Sequence, residues 1–337
     1  MTENLRKRLF VIFLSVDVIL LVLGVLNFRL FINKAGLPHR YQPVVDDLSF
    51  NVKNIYRSEK ITEFGGKEVA NNGQLDFYLL SHKYNDTVKI KSVNPEGIVT
   101  EKDVALVKKY NTIDLMVMSL VALFYLFTGV FILLSYRDAA SSYVIHAVAI
   151  SVGAMIIFEW GDIYTYNSFL NFIFLWLFEV SIYTAPLMFL HFSFAYPVKG
   201  KESHFVFLTP FYCATLTFII IATIHLVKIF FLGADITSLS FITFHTTVAD
   251  VYLAVVLILT IAKLEHSTLT LTHAHYKKQI YWVLLGIMFG PLIYVFLFLV
   301  PRILLGYELV SAAFMQFTFV VAPITLLISI TRKRKQI

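Results

Sequence analysis

The sequence predicts a polytopic α-helical membrane protein of about eight transmembrane helices, with a small α+β domain outside the bilayer between helices 1 and 2. Hydrophobic residues make up 58% of the 337 positions and charged residues only 15%, against about 25% in a typical soluble domain. The apolar residues gather in eight long runs, and a polar stretch of 79 residues separates the first two. This composition excludes an ordinary soluble enzyme and a disordered chain.

The eight runs are the predicted membrane spans, because a helix needs roughly 20 apolar residues to cross a hydrocarbon core of about 30 Å. The first run follows Arg6, Lys7 and Arg8, but it is longer than the apolar stretch of a signal peptide, so we expect a retained anchor. Cys213 is the only cysteine, which excludes a disulfide framework. The runs are Leu9–Ile32, Ile113–Tyr136, Tyr143–Phe158, Phe169–Ala195, Phe205–Leu232, Phe241–Ala262, Ile280–Leu304 and Leu309–Ile330.

Lysine and arginine predict the orientation of the spans. With the N-terminus inside, the inner segments hold thirteen basic residues, whereas the short outer loops hold only Arg302. The positive-inside rule therefore places both termini in the cytoplasm. The basic cluster Arg332–Lys335 is typical of an anchor to anionic membrane lipid, and we expect no nucleic-acid partner.

Four regions follow from this arrangement. They are a cytoplasmic tail with helix 1 (1–33), an extracytoplasmic domain (34–112), a seven-helix bundle (113–331) and a basic cytoplasmic tail (332–337). In the extracytoplasmic domain, the alternation from Thr87 to Ser92 predicts a strand. Gln74 to His82 predicts a short helix, and Gly65-Gly66 predicts a tight turn.

The extracytoplasmic domain resembles part of a PDZ domain. The matching residues are Glu59–Val69, Leu75 and Tyr84–Ile90, although Ser58-Glu59 stands where the family has Gly-Asp. The resemblance implies a groove that captures a peptide terminus through free backbone N–H groups. The chain has no loop of the Gly-Leu-Gly-Phe type, so a structural PDZ-like cap is the alternative.

The membrane region resembles the sensor module of bacterial histidine kinases of the competence quorum-sensing kind. The matching residues are His191–Pro197, His275–Gly286 and Ala322–Ile324. The resemblance implies an input module in the bacterial cytoplasmic (inner) membrane that relays an extracellular or membrane signal to a cytoplasmic kinase or other output domain. Since the sequence stops at Ile337, we expect either an excised input module or a protein with a separate output partner.

Ionisable residues inside the runs are the first candidates for a ligand or switch site, because a charge in hydrocarbon is costly. These are Asp17, His146, Glu179 and Asp250. The alternative is that they only make interhelical hydrogen bonds or reach the membrane interface.

A second candidate group, Glu159, Trp160 and Asp162, follows the third run. Acids and an aromatic ring at the rim of the bundle could hold a cationic or amphiphilic small molecule, or a peptide. The alternative is an interfacial aromatic belt.

Gly286 and Gly290 have the spacing that lets two helix backbones approach closely. A homodimer face is one interpretation, and a kink at the following Pro291 is the other.

No catalytic motif occurs in the sequence. It lacks His-Glu-x-x-His, Gly-x-Ser-x-Gly, a Walker loop and a kinase ATP site, so we expect no enzyme activity. We likewise expect no cofactor and no metal site. The alternatives to a sensor are a transporter or lipid-handling protein, and a scaffold that binds partners through the PDZ-like domain.

Overall fold

The computed structural model shows a helical membrane bundle with a small β domain inserted after its first helix. It describes residues 3–32, 34–38, 60–69, 75, 78–79, 82–94, 96–109, 112–136, 140–158, 168–197, 204–232, 237–305, 310 and 317–331. Within them, seven helices are long and apolar enough to cross a membrane. This confirms the predicted class, a polytopic helical membrane protein.

The first seven helices correspond to the first seven predicted runs. α6 extends eight residues past the predicted end at Ala262, because Leu264 is fully buried and Ser267 donates a hydrogen bond back to the Lys263 carbonyl. The bounds are α1 Glu3–Phe31, α2 Thr112–Ser135, α3 Ala140–Phe158, α4 Ser168–Ala195, α5 His204–Phe231, α6 Thr237–Thr270 and α7 Ala274–Phe289.

The seventh span is interrupted at Gly290 and Pro291. Gly290 leaves helical geometry (φ −112°, ψ −103°), and Pro291, which has no N–H to donate, begins the next helical turn. The span then continues through α8 (Pro291–Tyr294), a π-helical turn (Val295–Leu299) and α9 (Val300–Leu305).

The eighth predicted run contains α10, Val321–Thr331. With 11 residues, α10 is shorter than a membrane span. Part of the predicted run, 311–316, lies outside the described residues. The structure therefore supports seven spanning helices, and the eighth remains a prediction.

The buried core of the bundle draws on α2, α3, α4, α6, the seventh span and α10. α2 packs along α3, α3 along α4, and α10 along α7. α1 and α5 are peripheral, since few of their residues are buried and many of their apolar side chains are exposed. In a bilayer those side chains face lipid.

The small domain has its own sheet and its own core. Its strands are β2 (Lys60–Phe64), β3 (Lys67–Glu68), β4 (Thr87–Val93) and β5 (Val99–Ala105), all antiparallel in the order β3-β2-β4-β5. The predicted strand from Thr87 is confirmed. Gly65 and Gly66 make the β2–β3 turn with φ of +57° and +78°, a backbone that glycine adopts without strain.

Two further predictions for this domain stay open. Leu75, Tyr78 and Leu79 are helical within the predicted helix 74–82, whose other residues up to 81 lie outside the described part of the chain. The resemblance to a PDZ domain is not tested by this architecture and stays a prediction.

A pair of two-residue strands connects the small domain to the bundle. β1 (Ala35–Gly36) follows α1 and β6 (Val107–Lys108) precedes α2, and the two strands pair antiparallel. The Lys109 N–H also donates to the Lys34 carbonyl at 2.9 Å. This β1–β6 pair, here called the clasp, draws the end of α1 and the start of α2 together.

Candidate functional site

An aspartate and a histidine meet between the peripheral helix α1 and helix α3 of the bundle. His146 Nε2 on α3 lies 3.1 Å from Asp17 Oδ2 on α1. His146 is fully buried and Asp17 is 4% exposed. Because isolated charges are costly in hydrocarbon, the contact lets each of the two buried polar groups stabilise the other.

Hydrogen bonding leaves this pair incompletely satisfied. The 3.1 Å contact has ion-pair distance but lacks hydrogen-bond alignment, and among the described residues Asp17 Oδ1 and His146 Nδ1 have no hydrogen-bond partner. Natural proteins leave few buried polar atoms without a hydrogen-bond partner. The pair therefore holds α1 to α3 less firmly than a fully hydrogen-bonded network would.

Neighbouring residues shape the space around the imidazole. At Gly129 on α2, an added Cβ would lie 2.8 Å from His146 Nδ1 and 2.7 Å from Ala149 Cβ. Phe13, one turn before Asp17, meets the imidazole edge-on with ring centroids 5.1 Å apart. The sequence analysis missed both residues, because neither glycine nor phenylalanine is unusual in an apolar helix.

The same face of α1 contacts α3 along its length. The Tyr143 hydroxyl donates to the Arg6 carbonyl at 3.4 Å near one end. At the other end Asn27 Nδ2 donates to the Ile157 carbonyl at 2.8 Å. These contacts and the Asp17–His146 pair form the α1–α3 seam, in which both helices run in the same direction.

α1 also packs on α2, and its Leu20 is buried in an apolar cluster with Leu126 of α2 and Phe158 of α3, but its other side is exposed. Val11, on its exposed side, is 62% exposed, and Val25 is 69% exposed. Apolar side chains that face lipid gain no hydrophobic energy from packing on other helices. α1 therefore docks through the polar contacts of the seam together with the apolar packing around Leu20.

A second buried polar group lies between α4 and α6. Glu179 on α4 is 6% exposed and Asp250 on α6 is 3% exposed. Tyr183, one turn after Glu179 and fully buried, lies close enough to both carboxylates to interact with them electrostatically. Its ring stacks on Phe218 of α5 at 5.1 Å. Among the described residues, Glu179 Oε2 has no hydrogen-bond partner.

The structure thus separates the four predicted ionisable residues into two groups. Asp17 and His146 meet at the α1–α3 seam, and Glu179 and Asp250 are the two acids that interact electrostatically with Tyr183 in the α4–α6 region. The third predicted set, Glu159, Trp160 and Asp162, lies outside the described residues.

The two predicted packing glycines lie against α10 of the same chain. An added Cβ at Gly286 would overlap Thr325 Oγ1 and lie 3.0 Å from Ala322 Cα. The Gly290 carbonyl accepts a hydrogen bond from Thr318 Oγ1 at 3.3 Å. The close approach of two backbones therefore occurs within one protomer, and the helix also breaks at Gly290.

Hydroxyl groups fix α10 at the end of the bundle away from the small domain. The Ser329 hydroxyl donates to the Gln279 carbonyl at 2.9 Å and lies 2.6 Å from the Tyr196 hydroxyl. The Tyr136 hydroxyl donates to the Ile330 carbonyl at 3.4 Å. Tyr196 belongs to the segment that carries the kinase-sensor resemblance, but nothing in the sequence paired it with α10.

The described residues contain no group of three or more His, Cys, Asp or Glu side chains that could hold a metal ion. Comparison with known proteins found no family model, no curated protein and no solved structure that matches this chain.

Proposed function

We propose that this protein is a membrane-embedded signal-sensing module that relays an extracellular or membrane signal to a cytoplasmic histidine-kinase-type output. The observation that carries the proposal is the Asp17–His146 pair, an incompletely satisfied contact between a peripheral helix and the bundle. The chain itself contains no kinase ATP motif. The output is therefore a partner or a domain outside this sequence.

The route of the signal begins in the small domain. Its clasp pairs Ala35 with Lys108 directly after α1 and directly before α2. A ligand that changes the geometry of the domain would therefore displace the end of α1, because the segment that links the two is short. Only three residues separate Phe31 from the clasp.

The pair then supplies two states of α1. In one state, α1 is docked, with Asp17 against His146. In the other state, α1 has shifted along or away from α3, and Asp17 and His146 no longer contact each other. A signal has to favour one state by its differential binding energy, as in any population shift.

The response leaves through α10. This short helix is fixed by the Ser329 contacts to Gln279 and Tyr196 and by the backbone approach at Gly286. It packs chiefly on α7 and also touches α2, the helix that starts at the clasp. A change in the packing of α1 against α2 and α3 can therefore reach α10 through α2, which contacts α10 directly.

The test uses the full chain fused after Ile337 to the dimerisation and ATP-binding domains of a histidine kinase, in lipid vesicles. We expect Asp17→Asn and His146→Gln to change autophosphorylation by about fivefold, the population change that roughly 1 kcal/mol produces. Ser15→Ala, on the exposed side of α1, is the control and should leave the rate unchanged. If both pair variants phosphorylate at the rate of Ser15→Ala, the relay proposal is wrong.

A further inference from the structure

A cleft of about 400 Å³ lies between α1 and α2 on the domain side of the bundle. Gly24 and Asn27 line it on α1, Ser119 and Leu123 line it on α2, and Ile157 of α3 forms its floor. It lies below the clasp, which holds these same two helices together. Its volume falls in the range of small-molecule sites, roughly 300–1,000 Å³.

The chemistry of the lining favours a hydrocarbon occupant. Eleven of the thirteen lining residues are apolar or glycine, and the other two are Asn27 and Ser119. The Asn27 amide nitrogen already donates to the Ile157 carbonyl at 2.8 Å. A water cluster needs two to four polar partners for each molecule, and this lining offers few.

The cleft opens towards the lipid. Val25, Leu120 and Met116 line it and are 69%, 65% and 54% exposed, so they border the opening. These side chains belong to two spanning helices and face the hydrocarbon of the bilayer. An acyl chain can therefore enter sideways without crossing water.

A positive charge lies near the upper end of the opening. Arg29 is exposed in the last turn of α1, one helical turn beyond Val25. Residues four apart lie on the same face of a helix, so Arg29 lies above the cleft-lining residue Val25. A long arginine side chain at a helix end reaches the headgroup region, where lipid phosphates are found.

We propose that the cleft binds one acyl chain of a bilayer phospholipid, whose phosphate lies beside Arg29. The lipid chain fills the space between α1 and α2 that Gly24 and Ser119 line. The site stands on its own geometry and does not depend on the sensory role proposed above.

The test is photo-crosslinking of the full chain in vesicles that contain phosphatidylglycerol with a diazirine on its acyl chain. We expect label in the α1 segment 21–28 and in the α2 segment 115–123. Ser119→Phe, which fills the cleft, should reduce this labelling by about tenfold, the factor that 1.4 kcal/mol of lost binding corresponds to. Ser135→Phe is the matched control, since Ser135 is exposed at the other end of α2.

Two further variants complete the test, one that fills the cleft from another position and one that removes the charge of Arg29. Leu123→Trp fills the same space from a half-exposed position, and it replaces Ser119→Phe if circular dichroism shows that variant unfolded. Arg29→Gln should reduce labelling by the phospholipid probe and leave labelling by a diazirine diacylglycerol, which carries no phosphate and no charge, unchanged. If Ser119→Phe and Leu123→Trp are labelled as strongly as Ser135→Phe, the cleft is not the binding site. Labelling by the diacylglycerol alone would overturn the assignment to phospholipid.

Discussion

His146 Nε2 and Asp17 Oδ2 lie 3.1 Å apart across the contact between α3 and α1, and both side chains are buried. The two residues are far apart in the sequence. Their contact fixes the peripheral helix that leads into the small domain, and it leaves other polar atoms of both side chains without hydrogen bonds among the described residues.

The pair should be energetically coupled. Asp17→Asn and His146→Gln should each destabilise the protein by about 1–3 kcal/mol, because each leaves the other buried polar group without its partner. The double variant should cost less than the sum of the two by about 0.5–3 kcal/mol. Reversible unfolding in mixed micelles, followed by circular dichroism, gives the free energy of unfolding of the native chain, of the two single variants and of the double variant. Strictly additive single effects would show that the contact contributes nothing.

Gly129 should not tolerate a methyl group. In Gly129→Ala the new Cβ would lie 2.7 Å from Ala149 Cβ and 2.8 Å from His146 Nδ1, so overpacking should destabilise the protein by about 1–3 kcal/mol. The matched control is Gly24→Ala, whose Cβ meets only the side chain of Ile157, at 3.2 Å. Its better helix propensity should offset that contact to within about 1 kcal/mol. Equal effects of the two variants on unfolding would contradict the packing argument.

The clasp should depend on Gly36. An added Cβ there would lie 2.6 Å from Lys109 Cα, and a backbone atom cannot move aside as a side chain can. In Gly36→Ala we expect faster hydrogen exchange at the amides of Val107 and Lys109, measured by mass spectrometry in micelles. Gly97→Ala strains the turn between β4 and β5, where φ is +79°, and should change exchange only in that hairpin. Unchanged exchange at Lys109 in Gly36→Ala would show that the clasp tolerates a side chain.

A lysine and a glutamate on the sheet should each shift the pKa of the other. Lys89 Nζ lies 2.7 Å from Glu101 Oε1, and this hydrogen bond lowers the pKa of Glu101 and raises that of Lys89. The Glu101 contribution to stability is thus present above the ordinary pKa of glutamate and is lost as pH falls through the lowered value. The Lys89 contribution is lost only as pH rises through its raised value.

The Glu101 titration can be measured directly. In Lys89→Met the midpoint of the Glu101 carboxyl, followed by ¹³C NMR, should move to higher pH than in the native chain. Lys102→Met removes an equally exposed charge next to Glu101 in the sequence and is the control. A midpoint that stays in place in Lys89→Met would contradict the pairing.

Hydropathy was sufficient to predict the spanning helices because each depends on about 20 neighbouring residues in one stretch of chain. It was also sufficient to mark Asp17 and His146 as unusual. It could not pair them, because their contact depends on how α1 packs against α3, and no local pattern encodes that packing. The roles of Gly36 and Gly129 were missed for the same reason, since each is defined by a neighbour from a distant part of the chain.

The cleft and the α10 contacts show a second limit of the sequence. The cleft lies between residues of α1, α2 and α3, and the order of residues in the sequence does not show how far apart these helices pack. Ser329 and Tyr196 are ordinary residues in the sequence, and only the fold brings their hydroxyls to 2.6 Å. The break after Gly290, by contrast, was foreseeable from Pro291, because proline removes a backbone donor locally.

The central claim is that the Asp17–His146 pair holds α1 in its docked position. The most direct measurement is the distance between spin labels on cysteines at Val11 of α1 and Leu134 of α2, both exposed, in a full chain whose exposed Cys213 is replaced by serine. In lipid vesicles the native pair should give one narrow distance distribution, as should Ser15→Ala. Asp17→Asn should add a second, longer distance. The same single narrow distribution in Asp17→Asn would contradict the claim.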